Sequence, residues 1–342
     1  MTPEDPPRRT RRQFLKGAAV LAGAAGLVGG AGMVGAGAFD SSRGTPNRSA
    51  TAPPAESDAW LDLLAENTAS GGPGKDGIPA IDKPRFVTAR EMSGLEPDDP
   101  VFGLVHKGQA RAYPQMVLVW HEIVNDRIGG EPISVTYCPL TGSAFGVEGE
   151  AGGKALTFGT TGQLVNSNLL MYDRQTDSEW PQIAGMAIKG RLRGQRLRTR
   201  QLVWSTWSRW RAAYPNTRVL STKTGHVRQY GSDPYGSYTP PSGYYADDDV
   251  LFPVLGRDKR LKPKEVVLGV RAGGSTAAVV KEVMRKRRKV EFTLGGSSLA
   301  AVWDDKLATA RVLVPGSDKV ADFFDVMWFA WYAFYPDTKV IQ

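Results

Sequence analysis

Cysteine occurs once in this chain, at Cys138, and histidine only three times, at His106, His121 and His226. A single cysteine excludes an intramolecular disulfide. The thiol is then either a small buried hydrophobe or a group kept for reactivity or metal binding. Charge-free runs are equally scarce, and the one long stretch lies at the N-terminus. With 41% hydrophobic and 23% charged residues, the composition excludes a disordered or fibrous chain.

The N-terminal stretch reads Arg11-Arg12-Gln13-Phe14-Leu15-Lys16, followed by an Ala/Gly/Val/Leu run to Ala38. A basic region, a weakly apolar segment and small residues at Ala36-Gly37-Ala38 form a secretory signal. Paired arginines before Phe-Leu-Lys mark its twin-arginine version, whose partner is the translocase that carries folded proteins. The expected location is the periplasm, cell envelope or exterior, with a membrane tether if the signal stays uncleaved. The absence of cysteine near the cleavage site excludes a lipoprotein anchor. Residues 1–38 carry five basic and two acidic residues, so the rest of the chain keeps a net +5 of the formal +8. Such a surface suits an anionic envelope polymer or lipid, while nucleic acid is not expected there.

Residues 39–75 read as a linker, with tether composition to residue 57 and a short helix at Trp60 to Glu66. Beyond it a degenerate repeat organises the chain. Val101 to Ala112 and Val267 to Ala278 both read as strand, glycine turn, strand. Trp207, Trp210 and Tyr214-Pro215 match Trp328, Trp331 and Tyr335-Pro336, each followed by Thr-x-Val. The first pair is offset by 166 residues and the second by 121, so the first copy holds about 45 extra residues. Ile133 to Tyr137 alternates as a strand, and helices are expected at Tyr113 to Val124, the two Trp segments and Ala277 to Met284. The expected fold class is α+β, mostly antiparallel β-sheet with a few short helices, in two related halves from an internal duplication. The first half spans 76–225, a connecting loop region 226–262, and the second, degenerate half 263–342.

Two clusters carry the chemistry. On a helix over 113–124, His121 would share a face with Asn125, and Glu122 with Asp126. The pattern approaches a zinc helix, but Asn125 stands where the second histidine is needed. Cys138 follows a strand and precedes Pro139-Leu140-Thr141-Gly142-Ser143, a turn offering amides and hydroxyls near the sulfur. A Cys138–His121 thiolate–imidazolium pair with Glu122 as orienting group would make a catalytic centre. The same three residues could instead hold copper, iron or zinc, with Met171 as a further ligand. Thr141, Ser143, Asn166, Asn168, Tyr172, Asp173 and Arg174 are the candidate substrate contacts. Lys189, Arg191, Arg193, Arg196, Arg198 and Arg200 recur every second position about Gly194-Gln195, which predicts a hairpin with one cationic face. Asp247-Asp248-Asp249 lacks the spacing of a calcium loop.

Gly77 to Asp82, Ala110 to Pro114, Trp120 to Asp126, Tyr137 to Gly142, Asn166 to Arg174, Phe252 to Val254 and Lys262 to Glu265 together resemble the bacterial and archaeal domain-of-unknown-function family 3179. The resemblance spans roughly residues 75 to 342 and implies that the His121-Glu122 and Cys138 clusters belong to one signature. It brings no established activity. The function classes that remain are a thiol- or metal-dependent envelope enzyme acting on peptide crosslinks or acyl groups, a metal-binding protein, and a non-enzymatic envelope-binding module.

Overall fold

The computed structural model describes residues 54–317 and 319–342; the expected signal and most of the tether lie outside them. Antiparallel sheets dominate, with five short helices among the described residues. No helix there is long and apolar enough to cross a membrane.

Two sheets follow one plan. In the first, the hairpin Pro100–His106 and Gln109–Pro114 is flanked by Val203–Thr206 on one side and Arg218–Leu220 on the other, with Phe86–Thr88 at the edge. In the second, the hairpin Val266–Ala272 and Ser275–Val280 is flanked by Asp322–Met327 and Lys339–Ile341. Arg218–Leu220 runs parallel to Gln109–Pro114, as Lys339–Ile341 does to Ser275–Val280, and the other named pairings in these sheets are antiparallel.

The tryptophan motif explains how each plan closes. Helices Trp207–Ala213 and Trp328–Phe334 lay an indole on a glycine of the hairpin. A Cβ on Gly103 would lie 2.1 Å from the Trp210 ring, and one on Gly269 would lie 2.3 Å from Trp331. Each indole N–H then donates to the motif threonine, Trp210 to Thr217 at 3.0 Å and Trp331 to Thr338 at 2.9 Å. The tyrosine before proline ends the helix with nearly the same dihedrals in both places. The repeated residues are therefore those that weld helix to sheet.

After each hairpin comes a short helix, Gln115–Leu118 or Lys281–Arg287, and then a meander. The first meander is Ile123–Ile128, Glu131–Cys138 and Ser143–Glu148; the second is Lys289–Leu294, Ser297–Asp304 and Thr309–Leu313. Cys138 pairs with Ser143 and Asp304 with Thr309, so Asp304 holds the place of Cys138.

The surplus of the first half lies between Glu148 and Arg198. There Phe158–Val165, Asn168–Asp173 and Glu179–Pro181 form a sheet with Thr68–Ser70 on its edge. This layer and the 226–262 segment help to bury both faces of the Cys138 strand, so that Ile133 to Cys138 are all buried despite their alternating sequence.

Three expectations need correction. The helix over 113–124 shrinks to Gln115–Leu118, because Glu122 takes a left-handed φ of 57° and β-branched Ile123-Val124 open a strand. The helix at 277–284 begins only at Lys281, since Ala277 to Val280 complete a hairpin. The short helix expected at Trp60 to Glu66 is present as Asp58–Glu66, capped by Ser57, but its Trp60, Leu61 and Leu64 are buried, so this part is packed structure rather than linker.

Candidate functional site

Ending the helix at Leu118 decides where His121 and Glu122 point. Glu122 donates its N–H to Leu118 O (2.7 Å) and accepts from Tyr137 N (2.7 Å), which ties the turn to the Cys138 strand. The left-handed residue sends neighbouring side chains apart. His121 and Asn125 therefore share no helical face, and Asn125 instead bonds Asp82, Phe158 and Ser134.

The His121 ring is fully buried. Its Nδ1 lies 2.7 Å from Pro79 O and its Nε2 2.7 Å from Tyr230 Oη. A carbonyl can only accept, so Nδ1 carries the proton and Nε2 accepts from Tyr230. Burial lowers its pKa to about 4, holding the imidazole neutral. The expected thiolate–imidazolium pair with Cys138 is absent, because both ring nitrogens are committed elsewhere.

Cys138 is fully buried, and its thiol points to Ser167 O at 3.9 Å. Burial and then the charge of Glu122 push its pKa up to about 11. Hydrogen bonds from the Thr141 side chain and from the Leu169 and Thr141 amides act in the opposite direction. Glu122 is also buried, and desolvation raises its carboxyl to about 8. Tyr235 and Tyr244 stand in the same electrostatic neighbourhood: burial raises both, followed by Glu122 and Cys138 for Tyr235 and by Cys138 for Tyr244. Cys138, Glu122 and two tyrosines absent from the sequence-based expectation thus share one buried neighbourhood.

The expected metal set of His121, Glu122 and Cys138 is not gathered. Among the described residues, the three-residue group with ligand atoms all within 4.8 Å is His106, Glu131 and Glu148. Those carboxylates already face His106 and Lys107 at Glu131, and Arg198 and Arg200 at Glu148.

The expected substrate contacts divide into three groups. Asn168 donates to Thr141, Ser143 and Gln182, and Gln182 closes the circuit onto Thr136. With Thr141–Ser143 and Ser143–Gln182 bonds, this is a saturated knot joining the insert to the Cys138 turn. Asn166 holds Leu255 N and Ala333 O, and Asp173 caps its own turn and accepts from Trp180. Tyr172 and Arg174 meet Asp76 and Asp82 at the surface. Tyr172 is raised to about 12 by burial and its bond to Asp76. These groups lock the framework.

The basic segment likewise differs from the expected hairpin. Arg198–Gln201 pairs with Ser143–Glu148, Arg193 bonds Asp58 and Asp62, and Arg196 meets Glu56. Arg193 and Arg196 are thus neutralised by acids of the N-terminal helix region, far away in sequence, while Arg198 and Arg200 pair with Glu148 and Lys189 with Glu179.

The 226–262 segment is a strap over this centre. Trp120 Nε1 donates to Ser232 O (3.0 Å), Tyr244 Oη to Leu140 O (2.6 Å) and Ser167 Oγ to Phe252 O (3.3 Å). Gln115 and Tyr245 both donate to Asp233, and Tyr245 stacks on Tyr238 with centroids 3.8 Å apart. The Tyr235, Tyr238, Tyr244 and Tyr245 spacing was visible in the sequence, but only the fold shows that it caps Cys138.

The model for the family described as "Protein of unknown function (DUF3179)" matches residues 75–321. The chain belongs to this family. The match includes the His121-Glu122 turn, the Cys138 strand, the insert and the strap. No curated protein matches the chain, and no solved structure does.

Proposed function

We propose that this DUF3179 protein is an exported, thiol-dependent enzyme of the cell envelope in which Cys138 reacts and Glu122 takes its proton. We also infer that its halves arose by duplication, and that the twin-arginine leader delivers the chain already folded to the envelope.

One observation carries the enzymatic reading. The second half builds the same turn without the same chemistry. Arg288 repeats the left-handed φ (69°), donates to Met284 O (2.9 Å) and accepts from Trp303 N (2.8 Å), as Glu122 does with Leu118 and Tyr137. Arg287, Arg288 and Asp304 thus stand where the first half has His121, Glu122 and Cys138. The backbone does not require a buried acid or a thiol. Burying a carboxyl without a cationic partner costs stability, and groups so perturbed concentrate at functional sites.

In this reading Glu122, once ionised, accepts the Cys138 proton; the sulfur adds to an acyl or crosslink carbonyl, the adduct expels the alcohol or amine, which takes that proton back from Glu122, and water then cleaves the thioester to release the acid and restore the thiol. The Thr141 side chain and the amides of Leu169 and Thr141 stabilise the sulfur's developing charge. The strap excludes water and must open for substrate to enter. His121 serves as the strap's anchor through Tyr230.

The native thiol should resist iodoacetamide at neutral pH. Tyr244→Phe, which removes the bond to Leu140, should speed labelling roughly threefold to tenfold, the worth of one hydrogen bond. With p-nitrophenyl acetate as acyl donor, intact-mass analysis should find an acetyl adduct that Cys138→Ala lacks and Glu122→Gln accumulates more slowly. Adduct formation unchanged in Cys138→Ala, or labelling only at the global unfolding rate in every variant, would defeat the assignment.

A further inference from the structure

The strap begins with a feature that the Cys138–Glu122 chemistry leaves unused. Thr224 to Tyr230 loops over His121, placing the His226 ring 5.4 Å and the Tyr230 ring 5.8 Å from the imidazole, centroid to centroid. Thr224 Oγ1 and Tyr230 Oη are 2.5 Å apart, and Tyr230 donates to His121 Nε2. With its own proton given to the imidazole, the phenol oxygen accepts from Thr224. The two hydroxyls and the imidazole therefore form a fixed row running toward the surface.

Arg228 stands beside this row without a counter-charge. Its Nη1 donates to Val227 O at 2.9 Å, and its Nε is shielded from solvent without a partner. Among the described residues no carboxylate comes within ion-pair distance of it, although the chain neutralises many other arginines that way. The side chains whose charge would act on His121 are His226 and Arg228, and Arg228 is the one that acts on Tyr230; no carboxylate is among them. The tip of the loop presents Val227 at 88% exposure beside them. A shielded, unpartnered guanidinium N–H leaves an arginine short of the planar acceptor that its fork fits.

We propose that the Thr224–Tyr230 loop is an oxyanion-binding site, with Arg228 and His226 as the principal donors and the Thr224–Tyr230–His121 row holding its floor. The ligand class is a small oxyanion group, phosphate or carboxylate. Arginine takes either in bidentate fashion. Occupancy would tie the start of the strap to His121. The site uses neither Cys138 nor Glu122, so it stands or falls apart from the thiol chemistry.

The test is titration of the full mature chain with sodium phosphate and, separately, sodium acetate, by calorimetry and thermal shift at ionic strength matched with chloride. At least one oxyanion should bind saturably and raise the melting temperature beyond the chloride control; the stronger arm identifies the group. Arg228→Gln should weaken that binding roughly tenfold to a hundredfold, the range for a charge-assisted bond. Tyr230→Phe should weaken it less, and Cys138→Ala not at all. Arg191→Gln, which removes an exposed arginine elsewhere, serves as the control for general charge. No saturable binding of either anion, or equal binding in Arg228→Gln and wild type, overturns the proposal.

Discussion

Glu122→Gln is expected to remove most of the protein's loss of stability between about pH 5 and pH 8.5. The buried carboxyl titrates near 8 in the folded chain, against an ordinary value of 4.5. A folded-state pKa raised in this way gives a contribution that is complete below about 4.5. It is lost as pH rises through 8, because the unfolded chain ionises freely while the folded chain must either stay protonated or bury a charge. A shift of this size corresponds to on the order of 5 kcal/mol across the window. Urea unfolding at several pH values is the measurement. Wild type and Glu122→Gln should diverge as pH rises, the variant being the more stable above pH 8. Parallel curves would mean that Glu122 has an ordinary pKa, and its role as proton acceptor would fall with it. His121 works in the opposite sense and in a different window. Its folded pKa is depressed to about 4, so stability is lost as pH falls from 6.5 toward 4. Replacing His121 by Gln should flatten that acid limb.

The second large effect concerns the scaffold. Gly103→Val and Gly269→Val should each destabilise by about 3 kcal/mol or more, because the added carbons would occupy the indole of Trp210 or Trp331. The neighbour is a fully buried ring held by its threonine bond, so it cannot swing aside cheaply. Chemical denaturation of the two variants should give similar losses if the two motifs do the same work. A loss below about 1 kcal/mol at either glycine would show that the indole repacks easily there.

The tryptophan motif was legible because its parts lie within a dozen residues and obey local rules of helix stop and strand start. The Cys138 strand was legible from its alternation and β-branching. The His121-Glu122 turn was misread as helix because a glutamate with positive φ leaves no mark in periodicity. Its partners Tyr230, Tyr235 and Tyr244 lie about a hundred residues away, and only the packing of the strap brings them near. The arginine segment misled for a similar reason. Its cations looked unpartnered until Glu56, Asp58 and Asp62 folded against them. Gln182 escaped notice because an isolated glutamine carries no pattern; it matters through the hydroxyls around it.

Trp60 donates its indole N–H to Phe334 O across 274 residues and stacks on Tyr335. The first and last of the described helices thus share one seam, which closes only when Phe334 and Tyr335 are in place. A chain shortened at either of these ends would lose the same seam.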